Sequence, residues 1–151
     1  MTYTDEQIRT DIESVITTAA PLAVVYPWWV LGLKEDMWVA AMRSPLDNDR
    51  VHAYTFTRTR SDGMEKSMRC VERQWSYDIW ALHYYSTGKK TANTDLLFNA
   101  ELDAITEAFD NVSGLPIRLQ RRQPLQWSQD LGIYGGEMLH FAIGLLTVEV
   151  C

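Results

Sequence analysis

The chain has 151 residues, 46% of them hydrophobic and 23% charged. That fits one domain with a sizeable core and excludes a disordered, collagenous or coiled-coil chain. Fourteen Lys and Arg against twenty Asp and Glu give a formal charge of −6, which argues against nucleic acid as the main partner. Cys70 and Cys151 are the only cysteines and no CxxC or Cys/His cluster exists, so neither a metal nor a redox cofactor is expected. The opening MTYTDEQIRTDIES is polar and does not read as a signal peptide, and no apolar run approaches the roughly 20 residues that cross a bilayer. The expectation is a soluble protein of a reducing cytoplasm. Six Trp and seven Tyr exceed what a small core absorbs and point to contacts with other chains.

The first element reads as an amphipathic helix. Thr4 and Gln7 form a capping-box pattern, Ile8, Ile12, Val15 and Ile16 form one apolar stripe, and Pro21 ends it. The stretch 22–33 (LAVVYPWWVLGL) is apolar but broken by Pro27 and Gly32. It reads as a short strand over 23–26 and then irregular chain carrying Trp28 and Trp29. A further short strand is expected at 38–42 and a turn at 45–49 (PLDND).

Residues 51–60 (VHAYTFTRTR) carry the β-branched and aromatic signature of a strand, and Ser61-Asp62-Gly63 reads as a hairpin turn. A long return strand follows over 67–85, apolar on both faces toward its end, and then a polar loop over 86–93. The second helix starts at Thr94 as N-cap and places Phe98, Leu102, Ile105, Phe109 and Val112 on one face, closed by Gly114 and Pro116. A strand at 117–126, a polar loop at 127–132 and a final strand at 137–150 complete the chain. The last strand is apolar on both faces and so central in its sheet. The order predicts an α+β fold, with a mostly antiparallel sheet, a long β-hairpin and two main helices on one face.

Signals for catalysis are sparse. His52, His83 and His140 lie in three different predicted strands, an arrangement that allows them to converge in space, but without HxH, HxxxH or HExxH spacing each reads as a strand residue satisfied by hydrogen bonds. Gly88-Lys89-Lys90-Thr91 lacks the Walker A arrangement and reads as a solvated basic loop; residues 132–136 (GIYGG) open a strand, so they are no dinucleotide fingerprint. Asn111-Val112-Ser113 matches a glycosylation sequon, without a secretion signal to make it one. No GxSxG elbow exists. Asp78, inside WSYDIW, is the best single candidate for a perturbed carboxylate, against the plainer reading of an ion pair or an outward position. No enzyme activity is expected.

Charge is distributed unevenly. The second helix carries Asp95, Glu101, Asp103, Glu107 and Asp110 and no basic residue, whereas the hairpin carries Arg50, Arg58, Arg60, Lys66, Arg69 and Arg73 and the following segment adds Arg118, Arg121 and Arg122. The plain reading is two solvated surfaces. The functional one is head-to-tail association of identical copies, acidic patch to basic patch, which closes into rings. Arg together with Trp and Tyr is also the composition of interface cores.

The opening helix DEQIRTDIESVI, the strand WSYDIWALHYYSTG followed by the helix TDLLFNAELDAITEAF, and the closing strand GGEMLHFAIGLLTVEVC resemble, in order and length, the tail terminator (tail completion) proteins of long-tailed bacteriophages and related minor tail and neck proteins. The resemblance implies a structural virion protein, assembled in the host bacterial cytoplasm, whose homo-oligomer is a hexameric ring. Such a ring caps the tail tube, meets the head–neck connector, and lets DNA pass through its lumen without specific binding. It implies no chemistry, no metal and no membrane. Arg58, Arg60, Arg69 and Arg73, with Glu101, Asp103, Glu107, Trp28 and Trp29, are then the expected contacts with neighbouring subunits or the tube. The alternative is a small α+β barrel of the nuclear-transport-factor type. Its ligand pocket would be lined by Trp75, Tyr77, Trp80 and Tyr84, with Asp78 and His83 as acid–base groups.

Overall fold

A computed structural model describes residues 3–67, 70–86, 93–120 and 122–150. Helix α1 (Asp5–Ala19) begins as its sequence dictates: the Thr4 hydroxyl accepts from the Gln7 amide at 3.2 Å, and the Gln7 side chain accepts from the Thr4 amide at 3.0 Å. Its stripe of Ile8, Ile12, Val15 and Ile16 is buried. Strand β1 (Val24–Tyr26) follows, and then α2 (Glu35–Ala41) where a strand is expected at 38–42. The correction has a local cause. Glu35 and Asp36 favour the positive end of a helix, and Trp38, Val39 and Met42 recur at helical spacing and are buried together.

The hairpin is longer than its Asp-Gly signal implies. Strand β2 (Arg43–Ser44) pairs with the start of β3 (Arg50–Ser67), and β3 runs straight through the expected turn. Ser61, Asp62 and Gly63 pair with Trp75, Gln74 and Arg73 of β4 (Cys70–Tyr84). The register of the apolar residues overrides the turn dipeptide. A bulge between Arg58 and Arg60 shifts the pairing.

Helix α3 (Thr94–Asp110) buries Phe98, Leu102, Ile105 and Phe109 as expected, whereas Val112, expected on the same face, lies beyond its end and is exposed. Its N-cap is Asn93, not Thr94: the Asn93 side chain accepts from the Asp95 amide at 3.0 Å, while Thr94 turns inward. The strand expected at 117–126 is reduced, among the described residues, to a single antiparallel bridge from Arg122 to Val148 before β5 begins. That segment holds a 3-10 turn at Ile117–Leu119, and Pro116 and Pro124 cannot donate to a ladder. The strand lies instead in the polar stretch read as a loop, β5 (Gln126–Tyr134). It is an edge strand with one neighbour, which is why its composition is polar. Gly135 and Gly136, at φ 56° and 79°, make the two-residue reversal into β6 (Glu137–Val150).

The sheet is six-stranded and mostly antiparallel, in the order β1-β3-β4-β6-β5, with β2 beside β3 and only β1 and β3 parallel. The fold is α+β. Helices α1 and α3 cover one face, packing on Tyr54, Phe56, Tyr77, Ile79, Ala142 and Leu146. The opposite face is partly covered by α2 and the chain before it, through Val30, Trp38, Val39 and Met42 on Ala53, Leu82 and Leu139. As expected, β6 sits inside the sheet.

Candidate functional site

The three histidines meet. His52, His83 and His140 occupy directly paired positions on β3, β4 and β6, all on the helix side. The His52 and His83 rings lie 4.5 Å apart and those of His83 and His140 6.1 Å apart. His52, 3% exposed, is held between two carboxylates: its Nδ1 is 2.8 Å from Asp47 Oδ2, and its Nε2 is 2.7 Å and 2.8 Å from the two oxygens of Glu101. The Tyr54 hydroxyl donates to the same Glu101 carboxylate, and Arg50 bonds the other oxygen of Asp47 while lying 4.0 Å over the Tyr84 ring. His83 Nδ1 donates to the Tyr84 carbonyl at 2.8 Å, and His140 Nε2 lies 2.9 Å from the Thr94 hydroxyl.

The electrostatics follow from this packing. Burial alone would depress the His52 imidazole, but the hydrogen bonds and charges of Glu101 and Asp47 outweigh it and raise its pKa above the ordinary histidine value. Each ring nitrogen faces a carboxylate at 2.7–2.8 Å, and only an imidazolium can donate to both. Burial would lift Asp47, yet Arg50 and His52 hold it below the usual carboxylate range. His83 has no such partner, and burial pushes it down to about 4. Burial lowers His140 too, against a small opposing pull from Asp95. Tyr54 is driven well above its ordinary value by burial and by the adjacent Glu101 charge.

Among the described residues, Asp47, His52 and His83 are a set with metal-ligand spacing, their ligand atoms within 4.8 Å of one another. They do not fit a cation. Both nitrogens of His52 are spent on carboxylates, Arg50 holds the other oxygen of Asp47, and Tyr54 donates to Glu101. The chemistry the cluster can do is to hold a proton between two acids under a helix. Sequence reasoning allows the three histidines to converge but misses their carboxylate partners: Asp47 reads as a turn residue and Glu101 as part of the acidic helix face. The inward parity of His52, His83 and His140 with Tyr54, Ala81 and Ala142 is the one signal that points to burial.

The other sequence candidates spread over the surface. Trp28 is 58% exposed and Trp29 38%. Their segment is fixed by the Thr55 hydroxyl, which donates to the Trp28 carbonyl and accepts from the Val30 amide at 3.2 Å. Trp29 meets Trp80 edge-on at 5.1 Å, and Trp80 meets Phe141 at 4.7 Å, on the face opposite α1 and α3. Trp75 and Tyr77 are buried on the helix side, so the four aromatics of the alternative reading line no common pocket. Strand alternation likewise sends Asp78 and His83 to opposite faces. Asp78 forms no ion pair among the described residues, and burial raises its pKa.

Arg58 is committed within the subunit, 4.8 Å over the Trp75 ring and 3.9 Å from Asp5. Arg60 is 71% exposed in its side chain and, among the described residues, pairs with Asp62 at 2.7 Å. Arg73 is exposed, and Arg69 lies outside the described residues. Asp103 and Glu107 are exposed on α3, whereas Glu101, expected beside them as a contact, points inward to His52. Comparison with known proteins finds no family model and no curated sequence that matches this chain.

No helix among the described residues is long and apolar enough to cross a membrane.

Proposed function

We propose that the chain is a ring-forming structural subunit of the tail-terminator type, whose homo-oligomer, a hexamer in that family, caps a tail tube and meets a head–neck connector. The observation that supports this reading is the state of the sheet's two edges. From residue 56 to 67, β3 has a strand partner on one side only among the described residues, because β1 stops at its pairing with Thr55. At the far side the nine-residue β5 has no strand partner along its outer edge among the described residues and exposes Leu131 at 48% and Ile133 at 68%. A long free edge with exposed apolar side chains is a template for another chain, and isolated proteins blunt such edges. Two different free edges on one subunit make a heterologous, head-to-tail contact, the kind that closes into rings.

Charge supports the same arrangement: Arg60 and Arg73 stand on the hairpin side, while Asp103 and Glu107 stand on α3. A lumen with the acidic balance of the whole chain would let DNA slide without sticking. The test is native mass spectrometry of the purified chain, alone and with its tube protein. The expected species is near six times the 17.4 kDa subunit. A monomer in both conditions that gains thermal stability from a small aromatic ligand would overturn the proposal in favour of a ligand-binding protein.

A further inference from the structure

We infer that His52 is a proton-operated clamp: as an imidazolium it ties helix α3, through Glu101, to the turn at Pro45–Asp47, through Asp47, and its ionisation sets whether the first half of α3 stays docked on the sheet. The inference is independent of any ring.

The geometry makes the proton indispensable to the arrangement. Two carboxylates approach one buried ring at 2.7–2.8 Å from opposite nitrogens. A neutral imidazole has a single N–H, so its loss of a proton leaves one carboxylate facing a lone pair. Asp47 can fall back on Arg50, and Glu101 on Tyr54. What is lost is the bridge between the two, and hence the polar link from the turn to α3. Every element packed here contributes a titratable or charged group: Asp47 from the turn, Arg50 and Tyr54 from β3, His83 and Tyr84 from β4, Glu101 and Asp95 from α3, and His140 from β6.

The clamp opens on both sides of neutrality, for opposite reasons. His52 has a raised pKa, so its contribution is complete below the ordinary histidine value and is lost as pH rises through the folded value. His83 has a pKa depressed to about 4, so it favours docking above the ordinary value. That benefit is lost as pH falls toward 4, where a second positive charge appears 4.5 Å from His52. His140, lowered in the same way, adds to the acid side.

The test is hydrogen exchange of the full chain followed by mass spectrometry between about pH 4 and 9, with α1 as internal reference, alongside histidine nitrogen shifts by NMR. The expected result is an imidazolium signature at His52 that persists above the ordinary histidine value. The α3 opening equilibrium should rise by up to about tenfold per pH unit as His52 titrates, with α1 unchanged. His52→Gln should remove the alkaline limb. His83→Gln, which leaves the carboxylate bridge intact, should keep the alkaline limb and shrink the acid limb to the share that His140 carries. It keeps the test decisive if the first variant fails to fold. Uniform protection of α3 across the range, a His52 that titrates at or below the ordinary value, or α3 protection restored by Zn2+ at alkaline pH would each overturn the proposal, the last by making the cluster a metal site.

Discussion

Glu101→Ala is the sharpest perturbation of the buried network, because it distinguishes an inward carboxylate from the surface acid that the helix pattern suggests. The substitution removes the acceptor for both His52 Nε2 and the Tyr54 hydroxyl, leaving two buried donors with one partner fewer. Breaking a buried ion pair on one side costs about 3–5 kcal/mol. Glu101 retains 15% side-chain exposure against 3% for His52, so water can reach the gap and the low end, about 3 kcal/mol, applies. For a domain of this size that is a fall of about 6–12 °C in Tm. The assay is thermal and urea unfolding at neutral pH, with Glu107→Ala on the exposed face of the same helix as the control, expected within about 0.5 kcal/mol of the parent. A Glu101→Ala cost below about 1 kcal/mol, the range of exposed pairs, would refute the network as described.

Gly144→Ala is expected to cost about 1–3 kcal/mol in the same unfolding assay, since an added Cβ would sit 2.8 Å from the Trp127 ring and 3.1 Å from Leu125, with Trp127 pinned by its bond to Thr106 at 3.0 Å. Asp78→Asn should be slightly stabilising at neutral pH, by less than about 1 kcal/mol for a group still partly in water. The sign follows from a carboxyl pKa raised by burial without a partner: its charge destabilises above the unfolded value, so the gain should vanish below about pH 4, as unfolding at two pH values will show.

The elements that the chain announces are those whose signal is local. The α1 capping box, the apolar stripes of α1 and α3, the Gly135-Gly136 reversal and the doubly apolar β6 are all where the residues put them. The misread ones depend on neighbours. Trp38 and Val39 carry strand propensity but pack as one face of a helical turn. Asp62-Gly63 is turn chemistry overridden by pairing with Gln74 and Arg73, and β5 looks like a loop because edge strands tolerate polar residues. The same limit applies to the site. Each histidine's inward parity can be read along its own strand, but the meeting of His52 with Glu101 spans 49 positions and depends on how α3 is laid across the sheet.

The inward turn of Glu101 also changes what can hold copies together. With Glu101 spent on His52 and Arg58 on Trp75 and Asp5, opposite charges have fewer groups to offer, and an exposed pair is worth about 0.2–1 kcal/mol. Full burial of a Leu or Ile side chain is worth about 1.5–3 kcal/mol; starting 48% and 68% exposed, Leu131 and Ile133 stand to gain about 1–2 kcal/mol each, besides the ladder bonds along β5. Edge pairing outweighs charge. Association should therefore survive about 1 M salt, where the screening length is about 3 Å, and should be abolished by Leu131→Lys with Ile133→Lys, while Arg60→Glu alters chiefly its rate. Light scattering across a salt series decides between them: dissociation of the parent at high salt, together with normal assembly of the lysine variant, would return the contact to the charges.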